Sequence, residues 1–279
     1  MNYFILTVLL SISIPALAQE NVEGDLLFYG DVMLNAYEGK NRMRAAKEFT
    51  TLFDRHLEAN PMLDTDADFQ KYLSILNLEP NRKLITWHVN TTDFNCEFHG
   101  YFLEEGKKPI RLNRTEPLAA EMAFMTSTND DWYGCRYYNY KQLSENQYLI
   151  MGMDISSEFD NQKIADILTI NEDGTLTLGA PLFEDKESPG TYVNRIVLSF
   201  SSDASVNLNY NQDLDILILD HLEARMGLQA GQGATNIPDG TYEGYKEQDG
   251  KWMYVEKIFS HVYEEAPRPK PTQSGLFKK

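Results

Sequence analysis

KLITWHVNTTDFNCEFHGYFL, from Lys83 to Leu103, is where the apolar period of the chain changes from 3.6 to 2. Leu84 to Val89 and Asn95 to Leu103 read as strands, and the polar Asn90-Thr91-Thr92-Asp93 between them reads as the turn of a hairpin. The same pattern recurs downstream. Trp132 to Tyr140 and Gln147 to Met153 flank Ser144-Glu145-Asn146, and Ile164 to Ile170 and Thr175 to Leu178 flank Asn171-Glu172-Asp173-Gly174, whose Asp-Gly pair suits positive φ. Arg195 to Phe200, Val206 to Tyr210 and Ile216 to Asp220 complete the series. Many short strands at this spacing predict a mainly β protein with an antiparallel body, a sandwich or a barrel-like meander. Met226 to Gly240, rich in Gly, Gln and Ala, reads as a mobile loop.

Upstream of Lys83 the period is helical. Leu26, Leu27, Val32, Met33 and Tyr37 recur at near-helical spacing, Gly39 and Asn41 mark a break, and a second helix is predicted from Arg42 to Ala59. Ala46, Phe49, Phe53 and Leu57 form its apolar stripe, so the helical hairpin needs a partner surface, most simply the sheet that follows.

The ends carry different signals. Phe4 to Ile14 is an apolar run too short to span a bilayer, and Ala16-Leu17-Ala18 after it fits the small-residue pattern of a cleavable export signal, with the cut after Ala18. No Lys or Arg precedes the run, and no Cys follows it to carry a lipid anchor. The expected organisation is a signal peptide over 1–18, a helical hairpin over 19–62, an antiparallel β domain over 63–264 and a proline-rich disordered tail over 265–279. No later stretch reads as a membrane span. The net charge of −17 argues against nucleic acid and against binding membranes through a basic patch. Cys96 and Cys135 are the number an exported chain needs for one disulfide, and closing that loop of roughly 40 residues would contribute about 4 kcal/mol. The alternative is a pair of free, buried thiols. A metal site built on them lacks further ligands nearby, and no cofactor is expected.

Chemistry-bearing motifs are sparse. None of the five histidines stands in a zinc-protease spacing, and no nucleophile elbow, phosphate loop or dinucleotide fingerprint is present. Asp220-His221, at the end of the apolar strand Ile216 to Leu219, is the candidate general base, weighed against a turn cap beside a half-buried ring. Asp213, Asp215 and Asp220, or Asn171, Glu172 and Asp173, offer oxygen ligands of the kind calcium takes, without its twelve-residue loop spacing. In a regular strand Trp132, Arg136, Tyr138 and Tyr140 share one face, an aromatic platform for a sugar ring or a protein partner if exposed, and a core face if covered.

The succession Trp132-Tyr133-Gly134, Tyr148 to Asp154, Gly179-Ala180-Pro181-Leu182-Phe183, Leu219-Asp220-His221-Leu222 and Pro238 to Tyr245 resembles a family of uncharacterised exported proteins of Bacteroidota. The resemblance runs from about residue 70 to the proline tail. It implies export to the periplasm or the outer-membrane surface and brings no catalytic residues. This chain departs from the family pattern at Met153, where a Trp is expected, and at Cys135, where a small residue is expected. The expected function is a non-catalytic cell-envelope protein that binds a protein partner. The alternatives are a carbohydrate-binding or glycoside-active protein using the Trp132 to Tyr140 face, and a hydrolase using His221.

Overall fold

The computed structural model describes residues 21–63, 68–92, 95–117 and 121–259, so the predicted signal peptide and proline tail lie outside the described residues. Helix α1 (Val22–Asn35) is capped by Asn21, whose Oδ1 accepts from Gly24 N at 3.0 Å, with Glu23 and Asp25 in its first turn. Helix α2 (Gly39–Ala59) starts three residues before the predicted Arg42. Arg42 is instead the clamp of the hairpin, because its guanidinium donates to Ala36 O at 2.9 Å, Tyr37 O at 2.8 Å and, across the fold, Asn90 O at 2.6 Å. That last bond ties the helix turn to the first strand hairpin.

The body is mainly β, and its described residues form three sheets. Sheet I orders β1 (Ser74–Glu79), β2 (Arg82–Asn90), β3 (Cys96–Glu104) and β4 (Ile110–Leu112). Sheet II orders β5 (Ser127–Thr128), β9 (Leu176–Leu178), β8 (Asp160–Ile170), β7 (Gln147–Asp154) and β6 (Arg136–Ser144), with β12 (Arg195–Ser201) also pairing β8. Sheet III orders β11 (Tyr192–Val193), β10 (Phe183–Glu184), β16 (Lys251–Val255), β15 (Ala234–Gln248), β14 (Ile216–Met226) and β13 (Leu208–Asn211). Neighbouring strands are antiparallel except β10 and β16, which run parallel. None of the sheets closes into a barrel.

Three apolar cores stack these layers. The helical stripe Phe49, Phe53 and Leu57 packs on Ile85, Trp87, Val89, Tyr101 and Leu103 of sheet I. The opposite face of sheet I, with Leu84, Phe98 and Phe102, meets Tyr148, Ile150, Ile164 and Leu168 of sheet II. The other parity of sheet II, Leu149, Met151, Ala165 and Ile167, meets Leu217, Leu219, Tyr245 and Trp252 of sheet III. Sheets I and II are thus covered on both faces, which is why Tyr148 to Met151 is apolar without alternation. Each large apolar side chain buried this way contributes about 1.5–3 kcal/mol. No helix among the described residues is long and apolar enough to cross a membrane.

Several sequence expectations are corrected. Met226 to Gly240 is not one loop: β14 runs to Met226, β15 starts at Ala234, and Gln232 closes the short turn by donating to Phe159 O at 3.1 Å and Ser201 Oγ at 3.0 Å. Trp132 to Cys135 precede β6 and are not part of it. Of the two readings of the cysteines, a disulfide or a pair of free buried thiols, the structure has the second, with Cys96 and Cys135 both in the core between sheets I and II. Cys96 opens β3 in sheet I, whereas Cys135 is seated against sheet II, where a Cβ on Gly152 would collide with its Sγ. Burial pushes the Cys96 thiol up to about 12 and the Cys135 thiol well above its ordinary value, so both are protonated and weak nucleophiles.

The layering also holds two histidines neutral. Burial, with Arg136 nearby, brings His88 down to about 4, and burial, with Arg111 and Arg114 nearby, does the same for His99. Both values lie below the unfolded value of about 6.5, so in acid the unfolded chain takes up these protons before the native state does. Stability is therefore fully present above about pH 6.5 and declines as the pH falls towards about 4, by up to about 3 kcal/mol per histidine. The urea midpoint is expected to drop across this window, and to drop less steeply in H88F and in H99F.

Candidate binding cleft at the edge of β12

The cleft exists because of how β8 is shared. β9 pairs only with Leu168 to Ile170, and β12 takes the same edge from Asp160 to Asp166, with Arg195 opposite Asp166 and Ser201 opposite Asp160. On its other side β12 has no hydrogen-bonded strand partner among the described residues, although β15 lies alongside it and reaches Ser199 O through the Asn236 side chain. In an antiparallel ladder alternate residues turn their main-chain groups towards the partner strand. Arg195 N donates to Ala123 O at 3.3 Å and Ser199 O accepts from Asn236 Nδ2 at 2.9 Å, both away from β8, so the odd-numbered residues of β12 face outward. Val197 lies between them. Its N–H and C=O, with the Ser199 N–H and the Arg195 C=O, point into the cleft and have no partner among the described residues.

The far wall is the β14–β15 hairpin. Its register slips between Asp220 and Leu222, which pair with Tyr242 and Pro238, leaving His221 opposite Asp239, Gly240 and Thr241. Gly240 has a φ of 89°, a conformation that glycine adopts without a steric penalty. Leu219, Leu222 and Tyr245 give the wall an apolar surface, and Phe124, 64% exposed, stands at one end of a space of about 340 Å³. One charged group is sunk into it. Glu243 is 1% exposed, and its carboxylate accepts from Lys186 Nζ at 3.1 Å and Tyr254 Oη at 2.7 Å. Burial, with Glu243 close by, raises Tyr245 above its ordinary value, so its hydroxyl stays protonated and able to donate.

The start of β12 is anchored by a buried network. Arg195 and Asp166 are both fully buried, with Nε donating to Asp166 Oδ2 at 2.9 Å, Nη1 to Met122 O at 2.9 Å and Nη2 to Leu178 O at 3.2 Å. Tyr133 Oη donates to the same carboxylate at 3.0 Å, Ile167 N donates to its Oδ1 at 2.7 Å, and the guanidinium lies 4.5 Å from the Tyr133 ring centre. Burial pushes Asp166 up from the ordinary carboxylate range, while Arg195 and the other donors pull against that. Burial works against the Arg195 charge, and Asp166 together with Tyr133 and Tyr137 more than restores it. Every charged atom has a partner, so the pair fixes β12 against β8 with no unmet polar group.

The predicted site residues fall in different places. Asp220 does not pair with His221; its Oδ2 accepts from Asn207 N at 2.7 Å. The His221 Nδ1 instead lies 3.0 Å from Asp239 Oδ2, while Asp239 Oδ1 accepts from Thr241 N and Oγ1, each at 2.8 Å. Thr241 and then His221 hold the Asp239 carboxyl below the ordinary range. These bonds hold the bulge of the β14–β15 hairpin, which gives His221 a positioning part there. Of the candidate calcium ligands, Asp215 is engaged by Lys141 at 2.7 Å, Asp173 by Thr175 and Asn171 by Thr175 and Thr177, and no three His, Cys, Asp or Glu side chains among the described residues stand where they would share a metal ion.

The aromatic platform does not form. Trp132 is fully buried between sheets I and II, with Nε1 donating to Tyr137 Oη at 3.0 Å. A bulge between Tyr137 and Asn139 inserts Tyr138 as an extra residue and reverses the parity after it. Tyr138 Oη consequently donates to Leu208 O at 2.5 Å in sheet III, Tyr140 Oη bonds Asn77 O in sheet I, and Arg136 is exposed. Val197, Glu243, Lys186 and Phe124 were not singled out by the sequence; the strand pattern of Arg195 to Phe200 and the strand end at Asp220-His221 were its traces at this place. The chain matches no protein-family model, and no curated protein or solved structure matches it.

Proposed function

We propose that this chain is an exported, non-catalytic component of the cell envelope, periplasmic or at the outer membrane, that holds a partner protein by taking one of its extended segments as an added strand on β12. The observation that carries the reading is the open main chain of Val197, set in a cleft with an apolar far wall. An exposed strand edge is a template for pairing, and strand addition draws affinity from main-chain bonds and specificity from alternate side chains. Alternate side chains of the added segment would face Leu219, Leu222 and Tyr245, while Glu243 and Asp185 favour a basic residue at the end near Lys186. The apolar run Phe4 to Ile14 followed by Ala16-Leu17-Ala18, read as a cleavable signal peptide over 1–18, is what supports the compartment.

A photo-crosslinking amino acid in place of Phe124, in the native host, tests this. One envelope protein captured through a short, extended stretch supports the reading. Capture of nothing at Phe124, under conditions where a second crosslinker on the α2 surface does capture partners, overturns the assignment of the cleft.

A further inference from the structure

A second surface, independent of the β12 cleft, is the outer face of α1. Leu26, Leu27, Phe28, Val32, Met33 and Leu34 put apolar side chains around the whole circumference of this helix, the pattern of a helix packed on every side. It is packed on one side alone. Leu26, Gly30 and Met33 are buried, on the stripe that meets α2 and the Tyr72 ring. Away from that stripe Phe28 is 59% exposed and Leu34 46%, and Leu27 and Val32 are half-buried.

The charge of this face has one sign. Helical spacing places Glu23, Leu27, Asp31 and Leu34 in one row, with Phe28 beside Asp31 in the next. Glu23, Asp25 and Asp31 are exposed, and α1 holds no Lys or Arg. A second copy of α1 would set these carboxylates against their like, and an anionic lipid surface would repel them. What the face fits is a basic segment with apolar side chains next to its charges.

This chain contains such a segment. Residues 268–279 hold Arg268, Lys270, Lys278 and Lys279 and no acidic residue, in a chain of net charge −17, and Leu276-Phe277 stands directly before the two lysines. Residues 260–279 lie outside the described residues. The last described residue, Phe259, is fixed to sheet III, because Ile258 N donates to Tyr242 O at 3.1 Å and the Phe259 ring lies 5.6 Å from that of Tyr242. From sheet III to α1 is three layer spacings, roughly 30 Å. The chain from Phe259 to Leu276 can span at most about 56 Å, enough to pass around the edge of the sheets. We infer that Leu276 to Lys279 dock on the outer face of α1 in the same chain, with Leu276 and Phe277 covering Leu27, Phe28 and Leu34 and the lysines meeting Glu23 and Asp31.

The test is signal broadening by a nitroxide in the NMR spectrum of the full chain. The label is placed on S274C, and Cys96 and Cys135 stay unlabelled because both are buried and protonated. The expected result is loss of the amide signals from Leu27 to Leu34, and their return in K278E/K279E as the docked population falls about tenfold. D31K changes an exposed residue, so it is expected to release the segment with an unchanged urea midpoint, and D31K combined with K278E and K279E to dock again. No broadening at α1, the same broadening in K278E/K279E, or a triple variant that does not dock overturns the inference. A mixture of isotope-labelled unmodified chain with unlabelled nitroxide-bearing chain separates the sources. Broadening of α1 in that mixture would mean that another copy supplies the segment, and it overturns docking within one chain.

Discussion

Replacing Arg195 by Leu is expected to lower the free energy of unfolding by about 3–5 kcal/mol. The substitution leaves Asp166 as a charge with no counter-charge at a place with no solvent contact, held only by Tyr133 and the Ile167 amide. It also strips the donors from Met122 O and Leu178 O. Removing both charges, in the double variant of Asp166→Leu with Arg195→Leu, is expected to recover part of the loss, because no lone charge then remains buried. Urea midpoints of the two single variants and the double variant measure this. A double variant that loses the full sum of the singles would mean that the pair is not coupled. Arg195 opens β12, so the single variant is also expected to loosen the cleft, seen as faster amide exchange at Ile196 and Leu198.

Val197→Pro acts on binding and leaves the fold largely alone. The ring removes the outward N–H of Val197 and places a carbon where an added strand would lie, and on the native side no ladder bond is lost because Val197 faces away from β8. The expected cost in stability is below about 1 kcal/mol. Two main-chain bonds to the partner are lost, and the groups they leave unmet weaken binding by about 100-fold. Val197→Thr, which keeps the main chain, is expected to bind like the wild type. Titration of the captured partner segment against all three proteins, with a urea midpoint for each, separates this from misfolding. Equal binding by V197P and V197T would remove β12 from the interface.

The parts of this molecule that were legible in its sequence are those decided locally. The turns at Ser144 to Asn146 and Asn171 to Gly174 lie where the polar residues put them, and Phe49, Phe53 and Leu57 face the sheet as their spacing requires. What depends on the partition of strands among sheets was not legible. Tyr148 to Met151 reads as an apolar strand in any β fold, and nothing in it says that separate sheets cover its two faces. One inserted residue at Tyr138 was enough to scatter Trp132, Tyr138 and Tyr140 into three environments, since the parity rule holds only while the ladder is unbroken. His221 was singled out beside its sequence neighbour, but its ring partner is Asp239, brought in across the β14–β15 register. The cleft left the faintest trace, because a free edge is the lack of a neighbour and depends on β9 stopping after three residues.

Amide hydrogen exchange along β12, with the partner captured at Phe124 bound and removed, tests the strand-addition claim most directly. Val197 and Ser199, open in the free protein, are expected to slow strongly on binding, while Ile196 and Leu198, already bonded to β8, change little. Unchanged exchange at Val197 and Ser199 in a saturated complex would contradict it and place the partner on another surface.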